Sequence, residues 1–108
     1  MNTKINSPYI IEENDILVST WGYEQTNATF YKVMKRTAKT VTLQKIGSER
    51  KESARTMTGT AVPDPSKTDG KPFRKGVYSY DGQEYVRIES YERAEKWTGK
   101  PVHISSYA

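Results

Sequence analysis

Few residues in this chain could do covalent or metal chemistry. There is one histidine, His103, near the C-terminus, and no cysteine. Without a thiol, a second imidazole or a Gly-x-Ser-x-Gly elbow, no nucleophilic triad can be assembled from recognisable parts. His103 reads as a surface or packed residue. Glu12, Glu13 and Asp15 cluster, but a short acidic run with no His or Cys beside it is a weak ligand set. It reads as a solvated segment ahead of the first strand. Gly70-Lys71 and Gly99-Lys100-Pro101 lack the spacing of a phosphate loop. No catalysis, metal or cofactor is expected. The residues left to carry function are basic and aromatic.

The bases are concentrated. Between Tyr31 and Lys75 there are twelve Lys or Arg against four Asp or Glu, whereas the first thirty residues hold one base and four acids. A strongly basic middle favours an anionic partner, although it also serves as a solubilising surface. Lys32, Lys35, Arg36 and Lys39 interleave with Phe30 and Tyr31. If Tyr31 and Val33 point inward on a strand, then Phe30, Lys32, Met34 and Arg36 form an outward face with apolar area and charge. Such a face can hold a single nucleic-acid strand by stacking and cationic contact. The alternative is that the lysine stems lie over a small barrel and Phe30 packs beneath a terminal helix. A second cluster, Arg50 and Lys51 with Arg74 and Lys75, flanks a Pro-rich stretch. It can neutralise several phosphates, or be a charged loop. Trp21 and Tyr23 beside Gln25, Asn27 and Phe30 could make a pocket for a partner, or Trp21 could seal one end of the barrel.

The elements that must position these groups are mostly strands. Residues 15–21, 29–36, 40–46, 71–80 and 84–88 are rich in β-branched and aromatic residues, and 40–46 (TVTLQKI) alternates most cleanly. Asp81-Gly82 predicts a type I′ hairpin turn. Residues 49–58 fit either a charged edge strand or a loop. The two prolines and two glycines within 59–70 predict a long loop. Ser90 followed by YERAEKW predicts a short helix over 91–97, with Tyr91, Ala94 and Trp97 on one stripe and Gly99 and Pro101 as its stop. Residues 1–8 read as a loose leader. The tail after Val102 fits a last strand or a loose end.

At 108 residues, with 34% apolar residues, eight Tyr and two Trp, the chain predicts a single domain with a thin core sealed by aromatics. The expected fold is mainly β: a small, partly open SH3-like barrel of five to six antiparallel strands with a short C-terminal helix. The absence of cysteine and of a long apolar run points to a cytoplasmic protein with no membrane span.

The run DILVSTWGYEQTN (15–27), the segments FYKV (30–33) and KTVTL (39–43), and the ending WTGKP (97–101) with SSYA (105–108) resemble small accessory proteins of bacteriophages and bacterial mobile elements. The resemblance implies the host bacterial cytoplasm as the setting. It also implies either nucleic-acid binding or inhibition of a host defence complex, as anti-CRISPR proteins do. The expected function is thus non-enzymatic binding of nucleic acid or a nucleoprotein complex through a basic barrel face. The alternative is a protein-binding inhibitor of a bacterial defence nuclease.

Overall fold

Alternating apolar and polar residues give strands that bury one face. In the computed structural model, which describes residues 10–21, 27–53, 58–89 and 92–105, eight such strands account for most of the chain. They are β1 (Ile16–Trp21), β2 (Asn27–Arg36), β3 (Thr40–Ser53), β4 (Thr58–Thr68), β5 (Phe73–Tyr80), β6 (Gln83–Glu89), β7 (Glu92–Lys96) and β8 (Val102–Ser105). The count exceeds the expected five or six. All pairings are antiparallel. The order is β2-β1-β7-β6-β5-β3-β4-β8, and β2 also pairs β3. Pairing therefore runs through six strands, β2-β1-β7-β6-β5-β3, and returns to β2.

A first core cluster draws on every strand of that circuit. Leu17, Tyr31, Val33, Val41, Leu43, Val86, Ile88 and Ala94 are buried in it with Ile11, and Phe73 and Val77 of β5 pack against it. Each fully buried aliphatic side chain here contributes about 1.5–3 kcal/mol by leaving water. A second cluster lies on the opposite face of β2. Ala28, Phe30, Ile46, Ala61 and Ile104 are buried there, with Ile16, Val18, Trp97 and Val102 against them. The long outer half of β3, with β4 and β8, thus covers the β1–β2 side of the circuit.

Two expectations are overturned. Residues 92–96, expected in a helix, form strand β7. Tertiary pairing outweighs their helix-favouring composition: β7 hydrogen-bonds to β6 on one edge and β1 on the other. Its burial follows period two, with Ala94 inside between exposed Arg93 and Glu95. A helix of seven residues would in any case be too short to persist on its own propensity. No helix occurs among the described residues, and so none is long and apolar enough to cross a membrane.

Residues 59–68, expected in a long loop, belong to β4. Pro63 pairs opposite Ser48, and Gly47 opposite Asp64, but the next partner of β3 is Thr68 opposite Ile46. Pro65, Ser66 and Lys67 are therefore a bulge. Asp64 holds it by accepting hydrogen bonds from the Ser66 amide (3.1 Å) and hydroxyl (2.6 Å). A Cβ at Gly47 would stand 3.0 Å from the Lys67 Cβ, so the missing side chain lets the bulge close. β8 pairs only Thr58–Ala61, which leaves one edge of β4 open where the prolines fall, the position a sheet tolerates them.

Other expectations are met. Asp81 and Gly82 have φ of 53° and 77°, as the type I′ turn requires. Residues 49–53 continue β3, and 102–105 form β8. The leader 1–8, residues 54–57 and the last three residues lie outside the described ones.

Candidate nucleic-acid interface

The outer face of β3, β5, β6 and β7 gathers the exposed cations and rings. Thr42 sits between inward Val41 and Leu43 and so faces outward. It is paired with Lys35 on β2 and Arg74 on β5. Lys35, Thr42 and Arg74 therefore form one cross-strand row, with both cations exposed. In the next row, half-buried Lys32 pairs with Gln44. The buried Gln44 amide donates to the carbonyls of Lys45 (2.9 Å), Asp69 (3.2 Å) and Gly70 (3.1 Å), which ties the β4–β5 connection to this edge.

Along β5 the outward positions run Arg74, Gly76, Tyr78, Tyr80. A Cβ at Gly76 would lie 3.6 Å from the Tyr78 ring, so that ring fills the space above the glycine. Tyr78 pairs with Tyr85 on β6, and their rings stack at 5.7 Å and 24°. Arg87 lies over Tyr78 at 5.7 Å, and Arg93 over Tyr85 at 5.3 Å. The result is a row Arg87–Tyr78–Tyr85–Arg93 on the open surface. Tyr78 is 48% exposed and Tyr80 76%.

Arg87 and Arg93 are also direct cross-strand partners. Like charges so placed repel. Their one described ion pair, Arg93 with Glu95 at 4.0 Å and well exposed on both sides, is of the surface kind that contributes little. Charge repulsion of this sort is relieved by an anion. The guanidinium planes, held over rings, are suited to take a phosphate.

The residues expected at a nucleic-acid site fall in different places. Lys35 and Arg74 join the row above, with Lys32 beside it. Lys39 is exposed in the β2–β3 connection. Arg50 and Lys51 are exposed on the half of β3 that pairs with β4, opposite Ala61 and Thr60, on the covering layer and away from the row.

Arg36 and Lys75 do not join the outer face. β2 carries a register shift between Val33, opposite Leu43, and Lys35, opposite Thr42. Met34 is the extra residue, and the alternation changes phase there. Lys35 turns out and Arg36 turns in, the reverse of the expected face. Arg36, Val41 and Lys75 then share an inward row. Arg36 has a side chain only 4% exposed and pairs bidentately with Glu84 at 2.9 and 3.1 Å. It also donates to the Ile11 carbonyl at 2.8 Å and the Thr37 carbonyl at 2.6 Å. Lys75 is half-buried, its ammonium 5.9 Å over the Phe73 ring.

Phe30 is likewise unavailable for stacking. It is fully buried in the second cluster, edge-on to Trp97 at 6.3 Å. Asn27 is half-buried opposite Trp21. The Trp21 side chain, Tyr23 and Gln25 lie outside the described residues.

Tyr78, Tyr80, Tyr85, Arg87 and Arg93 were not singled out by sequence. The period-two strings R-x-G-x-Y-x-Y (74–80) and Y-x-R (85–87) were the available signal: with Val86 and Ile88 inward, Tyr85 and Arg87 must face out. Arg93 was hidden by the expected helix.

Several other titratable groups make contacts within the fold. Burial works against the charge on Glu84, but the Arg36 hydrogen bonds, the Ile11 N–H, the Arg36 charge and the Ile10 N–H outweigh it and hold the carboxyl below its ordinary value. Tyr31 donates to Glu92 at 3.3 Å. Burial first, then the Glu92 charge and hydrogen bond and the Glu89 charge, push its phenol upward. The acidic run before β1 is not simply solvated. Asp15 accepts from the Glu12 amide at 2.8 Å and pairs with Lys96 at 3.4 Å, and Glu13 accepts from the Arg36 amide at 3.4 Å. No group of three His, Asp or Glu among the described residues could hold a metal ion. His103 is exposed on β8, opposite Thr60.

No protein-family model, no curated protein and no solved structure matches the chain.

Proposed function

We propose that the chain is a non-enzymatic binding module that engages nucleic acid through the outer face of β3, β5, β6 and β7, with the six-strand circuit acting as a small barrel of broadly SH3-like kind. The observation that carries this reading is the Arg87–Tyr78–Tyr85–Arg93 row, with Lys35 and Arg74 on the same face. Exposed rings and cations interleaved on a sheet are the combination that holds a nucleic-acid backbone and its bases. The face is basic, so it does not mimic nucleic acid in a nuclease channel, which would call for acid. The proposed setting, from the likeness to phage and mobile-element accessory proteins, is the bacterial cytoplasm.

The test is fluorescence anisotropy of labelled oligonucleotides across a salt series. Affinity should fall linearly with the logarithm of salt, and Lys35→Glu with Arg74→Glu should lower that slope by about one per lost phosphate contact. No binding at low salt, or binding indifferent to these reversals, refutes the reading.

A further inference from the structure

The exposed tyrosines carry the reading one step further, to the form of nucleic acid. We infer that the face takes a single strand rather than a duplex, with a base stacked on Tyr80 and a phosphate between Arg87 and Arg93; this rests on the nucleic-acid reading above. The cations alone would serve either form, because a duplex offers phosphates as readily as a single strand does. The rings would not. In a duplex the base faces are occupied by their neighbours in the stack, and a ring on a sheet surface can reach only sugars and groove edges. An unstacked strand offers free base faces, and stacking on an aromatic ring is indifferent to which base is offered.

The rings are unequally available. Tyr78 and Tyr85 stack on each other, and each lies beneath an arginine. Tyr80 is 76% exposed at the last position of β5, just before the Asp81-Gly82 turn, and outward by alternation from Tyr78. Burial cannot explain a ring so placed, and it is the free stacking surface. Arg87 and Arg93, opposed across β6 and β7, supply the anion site on the same face. The row Lys35–Thr42–Arg74 lies further along: from Arg74 to Tyr78 is four residues of strand, about 13 Å at the usual rise. A backbone following β5 from Arg74 toward the turn would pass the first cations, then the arginine pair, and reach Tyr80 with its base.

The experiment uses the full chain with three probes: a labelled oligothymidylate of about 15 nucleotides, the matching duplex, and an abasic strand of equal length. Each is titrated against the protein and against Tyr80→Ala and Tyr80→Phe. Tyr80 is exposed, so neither variant threatens the fold. The inference expects the single strand to bind at least about tenfold tighter than the duplex, Tyr80→Ala to lose about tenfold on it, Tyr80→Phe to retain affinity, and the abasic strand not to notice Tyr80→Ala. Equal or tighter binding of the duplex, or equal losses on the abasic strand, overturns the single-strand inference. If that binding still falls on reversing Lys35 and Arg74, the basic-face reading survives it. No binding to any probe at low salt overturns both.

Discussion

Glu84→Gln removes the negative half of the pair that closes one end of the first core. The wild-type carboxylate accepts from the Ile10 amide (3.0 Å), the Ile11 amide (2.9 Å) and both terminal nitrogens of Arg36. Glutamine is nearly isosteric, so packing is little changed. Its one oxygen, in the place of Oε1, can still accept from the two amides and one terminal nitrogen of Arg36, but its NH₂, in the place of Oε2, meets the other terminal nitrogen and cannot accept from it. Arg36, 4% exposed, then loses the negative charge of Glu84 and part of its bidentate bond to it. Breaking such a pair costs about 3–5 kcal/mol. Because Glu84 retains 14% of its exposure, water relieves part of this, and the lower end, about 3 kcal/mol, is expected. That is a large share of the roughly 5–15 kcal/mol that holds a domain of this size together. Urea unfolding followed by tryptophan fluorescence should show the midpoint falling by about 1–3 M at unchanged slope. Adding Arg36→Met removes the buried charge that Glu84 opposed, so the loss in the double variant should be smaller than the sum of the two single losses. A loss below about 1 kcal/mol, or a double variant whose loss is the plain sum of the two singles, would refute the coupling inferred from the geometry. Nucleic-acid affinity should be unchanged in folded protein, because neither residue reaches the outer face.

Two further outcomes follow. The folded-state carboxyl of Glu84 is depressed, so its contribution to stability is present above the unfolded value and lost as pH falls through the folded one. Urea midpoints should therefore hold from pH 7 to about 5 and drop below the ordinary carboxylate range near 4.3, and Glu84→Gln should flatten that drop; an identical profile in the variant would exclude Glu84 as its source. Phe30→Ala, at a fully buried site against Trp97, should cost about 3–5 kcal/mol in the same unfolding assay, whereas a ring on an open binding face would cost far less.

The first half of β3 and the β5–β6 turn were legible because their signals are local: Val41 and Leu43 alternate inward, and Asp81-Gly82 sits where the turn chemistry puts it. What was not legible is non-local. β7 has the composition of a helix, and only its two flanking strands make it a strand. β4 contains two prolines, and only an open edge and a bulge accommodate them. Arg36 is the most instructive case. A single extra residue at Met34 changes the phase of β2, which sends one predicted contact residue into the core and keeps its neighbour Lys35 outside. Alternation can be read from sequence, but a bulge depends on the partner strand, and β3 is its own answer only once paired. Phe30 faces away from the first core as the pattern requires; that a second layer covers it depends on residues as distant in the chain as Ala61 and Ile104.

That second layer also explains why the face on β5, β6 and β7 is open. A circuit that closes on itself satisfies its backbone edges internally, so its outer surface is not needed for the first core. On the β1–β2 side the outer surface carries Ile16, Val18, Ala28 and Phe30 and is covered by β4 and β8. On the β5–β6–β7 side it carries Arg74, Tyr78, Tyr80, Tyr85, Arg87, Arg93 and Glu95. No described strand covers it, as the exposure of Arg74, Tyr78, Tyr80, Arg87, Arg93 and Glu95 shows. The two halves of the outer surface thus differ in chemistry as they differ in cover. Apolar residues went where a second layer buries them. Charged residues and amphipathic rings, two of the rings set beneath the paired arginines, lie where no described strand does. The stacked tyrosines and the arginines over them add modestly to the sheet, whereas the direct pairing of Arg87 with Arg93 opposes it. Under the proposed function, a phosphate held between Arg87 and Arg93 would relieve that repulsion.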